Sequence, residues 1–178
     1  MRFSENKSIA CAALALVIAA TLIFGGGGAL RDWRNEVSDQ FYANRESISA
    51  ELTEMQTNAG VLISIAREYE DADEAYIADA DEALNALSEA GEPGEKFEAA
   101  QDLSLAVENL YSDLGGLKLS EMDVSDVRYK YKNFTSAQLR ISHDEYNERA
   151  AEFNRELQKF PANLLGMLNG VRPLGLYQ

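Results

Sequence analysis

The chain has 178 residues, is 46% hydrophobic and carries a formal net charge of −14. Such acidity argues against nucleic acid and anionic lipid headgroups as direct ligands, because both would repel it. Cys11 is the single cysteine, which excludes an intrachain disulfide, and His143 is the single histidine, which excludes any site needing two, such as HExxH zinc sites or paired Glu-x-x-His di-iron bundles.

Residues 1–7 read as a short polar tail containing Arg2 and Lys7. Ser8 to Phe24, SIACAALALVIAATLIF, is uncharged and almost wholly apolar, and Gly25 to Leu30 extend the uncharged run. A bilayer span needs ~20 such residues. The expectation is a transmembrane anchor over residues 8–28 that ends in a flexible Gly-rich joint at Gly25 to Gly28, with the lipid bilayer as its partner. A cleaved signal peptide competes with this reading, since the glycines supply small residues that a peptidase accepts. The apolar core is long for a signal, which favours a retained anchor with Cys11 as a small residue of the membrane helix. Basic residues nearly balance, with Arg2 and Lys7 before the run and Arg31 and Arg34 after it. The expected arrangement is a signal anchor: one pass through the cell membrane, N-terminus inside and soluble domain outside the cytoplasm. The opposite orientation stays open.

Residues 29–178 are expected to form one helical domain. Trp33, Val37 and Phe41 step by four, and Ile48, Leu52, Met55, Leu62, Ile65 and Tyr69 continue the stripe, with a possible break near Asn44 to Ser47. Trp33 reads equally as an interfacial anchor or a packed residue. Asp71 to Glu74 resemble a capping box opening a second helix with a small-residue face at Ala75, Ile77, Ala78, Ala83, Leu84 and Leu87. Gly91 ends it, and Pro93-Gly94 mark a turn. A third helix spans about Glu95 to Leu114, with Phe97, Leu103, Leu105, Val107, Leu110 and Tyr111 as its apolar positions, and Gly115-Gly116 stop it. A fourth starts near Ser120, carries Val124, Val127, Tyr131, Phe134 and Ile141, and kinks or restarts at Ser142 to Glu145. Its last part is DEYNERAAEFNRELQKFP, where Tyr146, Phe153 and Phe160 recur every seven residues with Ala150 and Leu157 between them. These five positions share one helical face, and Pro161 stops the helix near Phe160. After it, Ala162 to Leu168 should form a short helix ended by Asn169-Gly170, and Val171 to Tyr177 an extended segment. Leu164, Leu165, Met167, Leu168, Val171, Leu174 and Leu176 are too apolar for a free tail. The tail is expected to fold against Trp33 to Phe41; the alternative is that it faces lipid or a protein partner, with Trp33, Leu164, Leu165, Met167, Leu168, Val171 and Leu174 as the candidate interaction surface.

Little of the chain speaks of reaction chemistry. Ser142-His143-Asp144 has the letters of a catalytic triad, but adjacent helical residues point about 100° apart and cannot align as nucleophile, base and orienter. The acidic run at 68–82 could hold a divalent cation weakly. It fails the calcium-loop pattern because Ala75 and Tyr76 stand where acidic or amide residues and glycine belong. No catalytic residue, metal ligand or cofactor is assigned. The tyrosines at helical spacing read as core, and Asn133-Phe134-Thr135 is a formal glycosylation acceptor inside a helical pattern.

The segment from Tyr146 onwards resembles the LemA family, whose members end in a YN, YN, FP-x-N pattern. Tyr146-Asn147, Phe153-Asn154 and Phe160-Pro161-Ala162-Asn163 match it, with Phe153 in place of the second tyrosine. The resemblance covers roughly the last quarter of the chain, with a weaker echo at Asn58 to Tyr69. The paired arginines usual in that earlier region are missing and Arg45 stands alone, which marks a divergent member. The resemblance implies an N-terminal membrane segment and a bundle of long helices. The expected fold is therefore all-α: an antiparallel bundle of four principal long helices with one N-terminal transmembrane helix. The expected function is a non-enzymatic scaffold or protein-interaction module at the cell envelope. The rival is an enzyme or cation-binding domain built on the acidic turn.

Overall fold

The structure, a computed structural model, describes residues 3–43 and 47–178; side chains at 3–9, 19, 22 and 24 are outside the description. Met1, Arg2 and Arg45 lie outside the described residues. Among those described, the chain is all-helical, in seven helices: α1 (Phe3–Tyr42), α2 (Ile48–Ala66), α3 (Glu74–Glu89), α4 (Pro93–Gly116), α5 (Glu121–Ser142), α6 (Tyr146–Leu157) and α7 (Ala162–Asn169). The chain divides into two compact units. Unit 1 comprises Met1–Ser38 and Glu148–Leu174; unit 2 comprises Asp39–Asn147 and Gly175–Gln178.

Unit 2 is a helical bundle in which α2 packs against α3, α4 and α5, and α4 packs against α3 and α5. The central place of α2 follows from its sequence. Ile48, Leu52, Met55, Ala59, Leu62 and Ala66 are buried, and steps of four and three keep them on one helical face. Ser47 caps α2, its hydroxyl accepting from Ala50 N–H at 3.2 Å. Asp73 caps α3, accepting from Ala75 N–H at 2.8 Å. That places the cap two residues beyond the expected Asp71. Of the expected small-residue face, Ala83 and Leu87 are buried and Ile77 and Leu84 half-buried, with Ala80 buried beside them, while Ala75 and Ala78 are exposed. Pro93 and Gly94 open α4 rather than forming a turn. Proline fits the first helical position because its missing N–H would have no partner there, and Glu92 with Glu95 completes a capping box. Ser120 caps α5 as its sequence indicates, with its hydroxyl accepting from Asp123 N–H at 3.1 Å. Leu105 and Val124 stay exposed.

The last of the two long helices expected at the ends of the domain is interrupted between Ser142 and Tyr146. α1 ends at Tyr42 and α2 begins at Ile48, and the possible break near Asn44 to Ser47 falls largely outside the described residues. At the break after Ser142, Asp144 accepts from Tyr146 N–H at 2.7 Å and starts α6. α6 then stops at Leu157, three residues before the expected Phe160. Tyr146, Ala150, Phe153 and Leu157 are buried as the heptad reading requires, but Phe160 is 81% exposed. Once the backbone turns ahead of Pro161, position 160 no longer follows the helical period.

In unit 1, Gly25 to Gly28 are helical within α1 rather than a joint. Glycine is costly in a helix, but here two of the four create space for a neighbour. A Cβ at Gly26 would meet Leu165 at 2.8 Å, and one at Gly27 would meet Asn169 at 2.1 Å. Close packing of α7 therefore outweighs the low helix propensity. Among the described residues no helix is long and apolar enough to cross a membrane. The expected span 8–28 lies within α1, and several of its side chains are outside the described ones.

Candidate functional site

The family-like motif residues organise the C-terminal segment. In unit 1, Asn154 grips Leu174 twice: Nδ2 donates to its carbonyl at 2.8 Å, and Oδ1 accepts from its N–H at 2.7 Å. In unit 2, Asn147 treats Tyr177 the same way, at 2.7 and 2.8 Å. A carboxamide offers one donor edge and one acceptor edge, so each asparagine satisfies both backbone groups of an extended residue. Val171, Leu174 and Tyr177 are buried.

The aromatics of the motif fill in around these clamps. In unit 1, Phe153 meets Trp33 edge to face, with centroids 5.2 Å apart at 87°. In unit 2, the Tyr146 hydroxyl donates to Gly175 O at 2.6 Å, and Tyr146 lies 5.0 Å from Phe41. Tyr177 lies 5.9 Å from Phe41 and 5.2 Å from Phe97. Burial there pushes the Tyr177 hydroxyl up to about 12, because the phenolate would lose its hydration. Asn163 serves locally, its Oδ1 accepting from Leu164 N–H at 2.7 Å.

The expected interaction surface splits. Val171 and Leu174 are buried, and Trp33 and Leu165 are half-buried. Leu164, Met167 and Leu168 are exposed and share one face of α7, with Phe160 exposed just before it. The opposite face of α7 is fixed to α1. Asn169 Nδ2 donates to Ile23 O at 3.1 Å, and Arg31 donates to Asn169 O at 3.1 Å. Beyond α7, Arg34 donates to Arg172 O at 3.0 Å. Arg149 of α6 pairs with Glu36 of α1 at 2.7 Å.

Unit 2 also holds a cleft of about 280 Å³ between α2, α4, α5 and the chain terminus, with Met55, Phe97, Ile141 and Tyr177 as apolar walls. Its polar lining is largely engaged with the protein itself. Gln138 donates to Ser104 Oγ at 3.2 Å. Ser104 donates to Ala100 O, Asp144 caps α6, and Asn147 holds Tyr177. The Ser142-His143-Asp144 letters do not converge: Ser142 donates to Leu139 O, and His143 is an exposed residue closing α5. Nearby, Arg140 makes ion pairs with the buried Glu51 at 2.6 Å and with Glu54 at 2.7 Å.

At the acidic turn, Asp73 caps α3 and Asp81 pairs with Arg67 at 3.1 Å. Asp113 accepts from Asp73 N–H at 3.0 Å. Among the described residues, no group of three or more His, Cys, Asp or Glu side chains is placed to hold a metal ion. Tyr69 donates to Asp123 at 2.5 Å and accepts from Ser120 N–H at 3.0 Å. Hydrogen bonds from Ser120 and Tyr69 hold the Asp123 carboxyl below its ordinary range.

Sequence reasoning noted the asparagines only as letters of a motif and missed their clamps. The available signal was an amide after each buried aromatic at heptad spacing, with an apolar extended segment downstream. It missed Phe97, Gln101, Ser104 and Gln138 as neighbours in one cleft, for which no local pattern exists. No family model, curated protein or solved structure matches the chain.

Proposed function

We propose that the protein is a membrane-anchored helical-bundle module of LemA type: an antiparallel four-helix bundle held at the cell envelope by one N-terminal helix, acting as a scaffold for a protein partner rather than as an enzyme. The observation that carries this reading is the side-chain environment along α1. Leu14, Leu16, Val17 and Ile18 are between 52% and 71% exposed. Three consecutive residues, 16 to 18, sweep about 200° around a helix, so no single neighbour could cover them. A helix apolar on all sides is stable when lipid surrounds it. The uncharged sequence from Ser8 to Leu30 is long enough for that role. The YN, FN and FP-x-N series supports the LemA assignment. Here its Asn147 and Asn154 bind the backbone of Tyr177 and Leu174, a structural use that needs no reaction chemistry.

The test has two steps. Membranes from cells making the full chain are washed with alkaline carbonate; the protein should stay in the pellet. Release into the wash would remove the span. Protease is then added outside cells whose wall or outer membrane has been made permeable, and the helical domain should be digested. Full protection until lysis would place that domain in the cytoplasm and reverse the orientation.

A further inference from the structure

We infer that α7 is a second membrane contact: its exposed apolar face, Leu164, Met167 and Leu168 with Phe160, lies in the acyl–headgroup boundary of the bilayer that α1 crosses. This rests on the proposed span and adds to it a monotopic element from the other end of the chain.

The placement of α7 against α1 carries the inference. Leu165 sits against Gly26, and Asn169 against Gly27 with a hydrogen bond to Ile23 O. Those positions lie within about one helical turn, ~5.4 Å, of Phe24, the last residue of the apolar run. α7 is therefore held at the level where the span would leave the hydrocarbon. The glycines are what allow this approach, since any Cβ at Gly27 would occupy the volume of the Asn169 side chain. On the far side of α7, Leu164 is 47%, Met167 77% and Leu168 55% exposed, and Phe160 is 81% exposed. The chain is uncharged from Phe160 through Val171, so nothing on this element resists burial at the boundary. A helix lying in the interface buries its apolar face ~5–10 Å deep. A bilayer fits this face better than a second copy of the chain does. Four side chains fall short of the ~1,200 Å² that specific association needs. The net charge of −14 also opposes both self-association and attraction to anionic headgroups. The contact is thus with acyl chains.

The full chain is reconstituted into phosphatidylcholine vesicles, with and without brominated acyl chains. Trp33→Phe, which keeps a ring against Phe153, provides a background free of other tryptophans. Leu168→Trp, or Met167→Trp should the first disturb folding by circular dichroism, places the probe on α7. Met122→Trp, at a position 74% exposed in α5, is the aqueous control. Brominated lipid should quench the α7 probe several-fold more than the control, and iodide should do the reverse. Equal iodide quenching at both positions would overturn the inference. So would protection of the α7 probe from both quenchers, which means that protein covers the face. Vesicle flotation separates the two levels. A chain that floats with a water-exposed α7 loses only this inference, whereas a chain that fails to float loses the anchor as well.

Discussion

Two neighbouring stretches near the C-terminus have similar apolar content and opposite environments. On α7, Leu164, Met167 and Leu168 are exposed, whereas in the segment after it Val171, Leu174 and Tyr177 are buried. The contrast lies in the backbone rather than in hydrophobicity. A helix satisfies its own interior N–H and C=O groups, so α7 can dock by one face and leave another open. An extended segment satisfies none of its own, and burying it unpaired would be costly. Asn154 and Asn147 remove that cost for Leu174 and Tyr177 by pairing both backbone groups of each. The side chains of the tail can then reach the interior.

The largest test of the contrast truncates side chains on either side of it. Leu174→Ala should cost about 2–5 kcal/mol and Phe153→Ala about 3–5 kcal/mol in urea unfolding of the detergent-solubilised chain. Met167→Ala on the open face of α7, and Glu152→Ala beside Phe153, should stay within about 0.5 kcal/mol of wild type. Equal losses at Leu174 and Met167 would erase the distinction. Next in size is the clamp itself. Asn154→Ala removes both partners of Leu174 and should cost about 1–3 kcal/mol, with iodide quenching of Trp33 rising as the segment loosens. A variant that unfolds at the same urea concentration as wild type would show that hydrophobic contacts alone hold the tail.

The glycine run sharpens the other half of the comparison, the docking of α7. Gly27→Ala pushes a methyl group into Asn169 and should destabilise by about 1–3 kcal/mol. Gly28→Ala meets nothing within 4 Å and should stabilise the helix by about 0.5–1 kcal/mol. Opposite signs at adjacent positions, read as melting temperatures, are the expected outcome; two stabilising substitutions would mean that α7 does not rest on α1. The smallest effect is on pH dependence. Tyr177 is raised to about 12 in the folded chain, against ~10 when unfolded. The unfolded state therefore loses this proton first, and the contribution is fully present below pH ~10 and is lost as pH rises towards 12. Tyr177→Phe should flatten the decline in stability over that window relative to wild type. An unchanged slope would place the hydroxyl in water.

Much of the helical plan was legible in the sequence. The heptad series Tyr146, Ala150, Phe153, Leu157 identified a buried face because side-chain direction in a helix follows from spacing alone. Ser120 as a cap, the restart after Ser142 and the stop at Gly170, which adopts φ +66°, were legible because caps and left-handed turns act within a few residues. Phe160 was misplaced because the period was carried past the last helical residue. Pro93 and Gly94 were read as a turn because the residues that mark turns also open helices, and only the Glu92–Glu95 pair tells them apart.

What lay outside local reading was every contact between residues distant in the chain. Helix propensity and apolar spacing determined that this protein is helical, where most helices begin, and which residues of α2 and α6 turn inward, since these depend on backbone geometry repeated every few residues. The tertiary structure decided that Gly26 and Gly27 serve close packing rather than a joint, and that the motif asparagines grip the backbone of Leu174 and Tyr177. It also decided which apolar residues after Pro161 are covered. Each depends on a partner between 20 and 146 residues away, and no periodicity in the sequence encodes a neighbour at that distance.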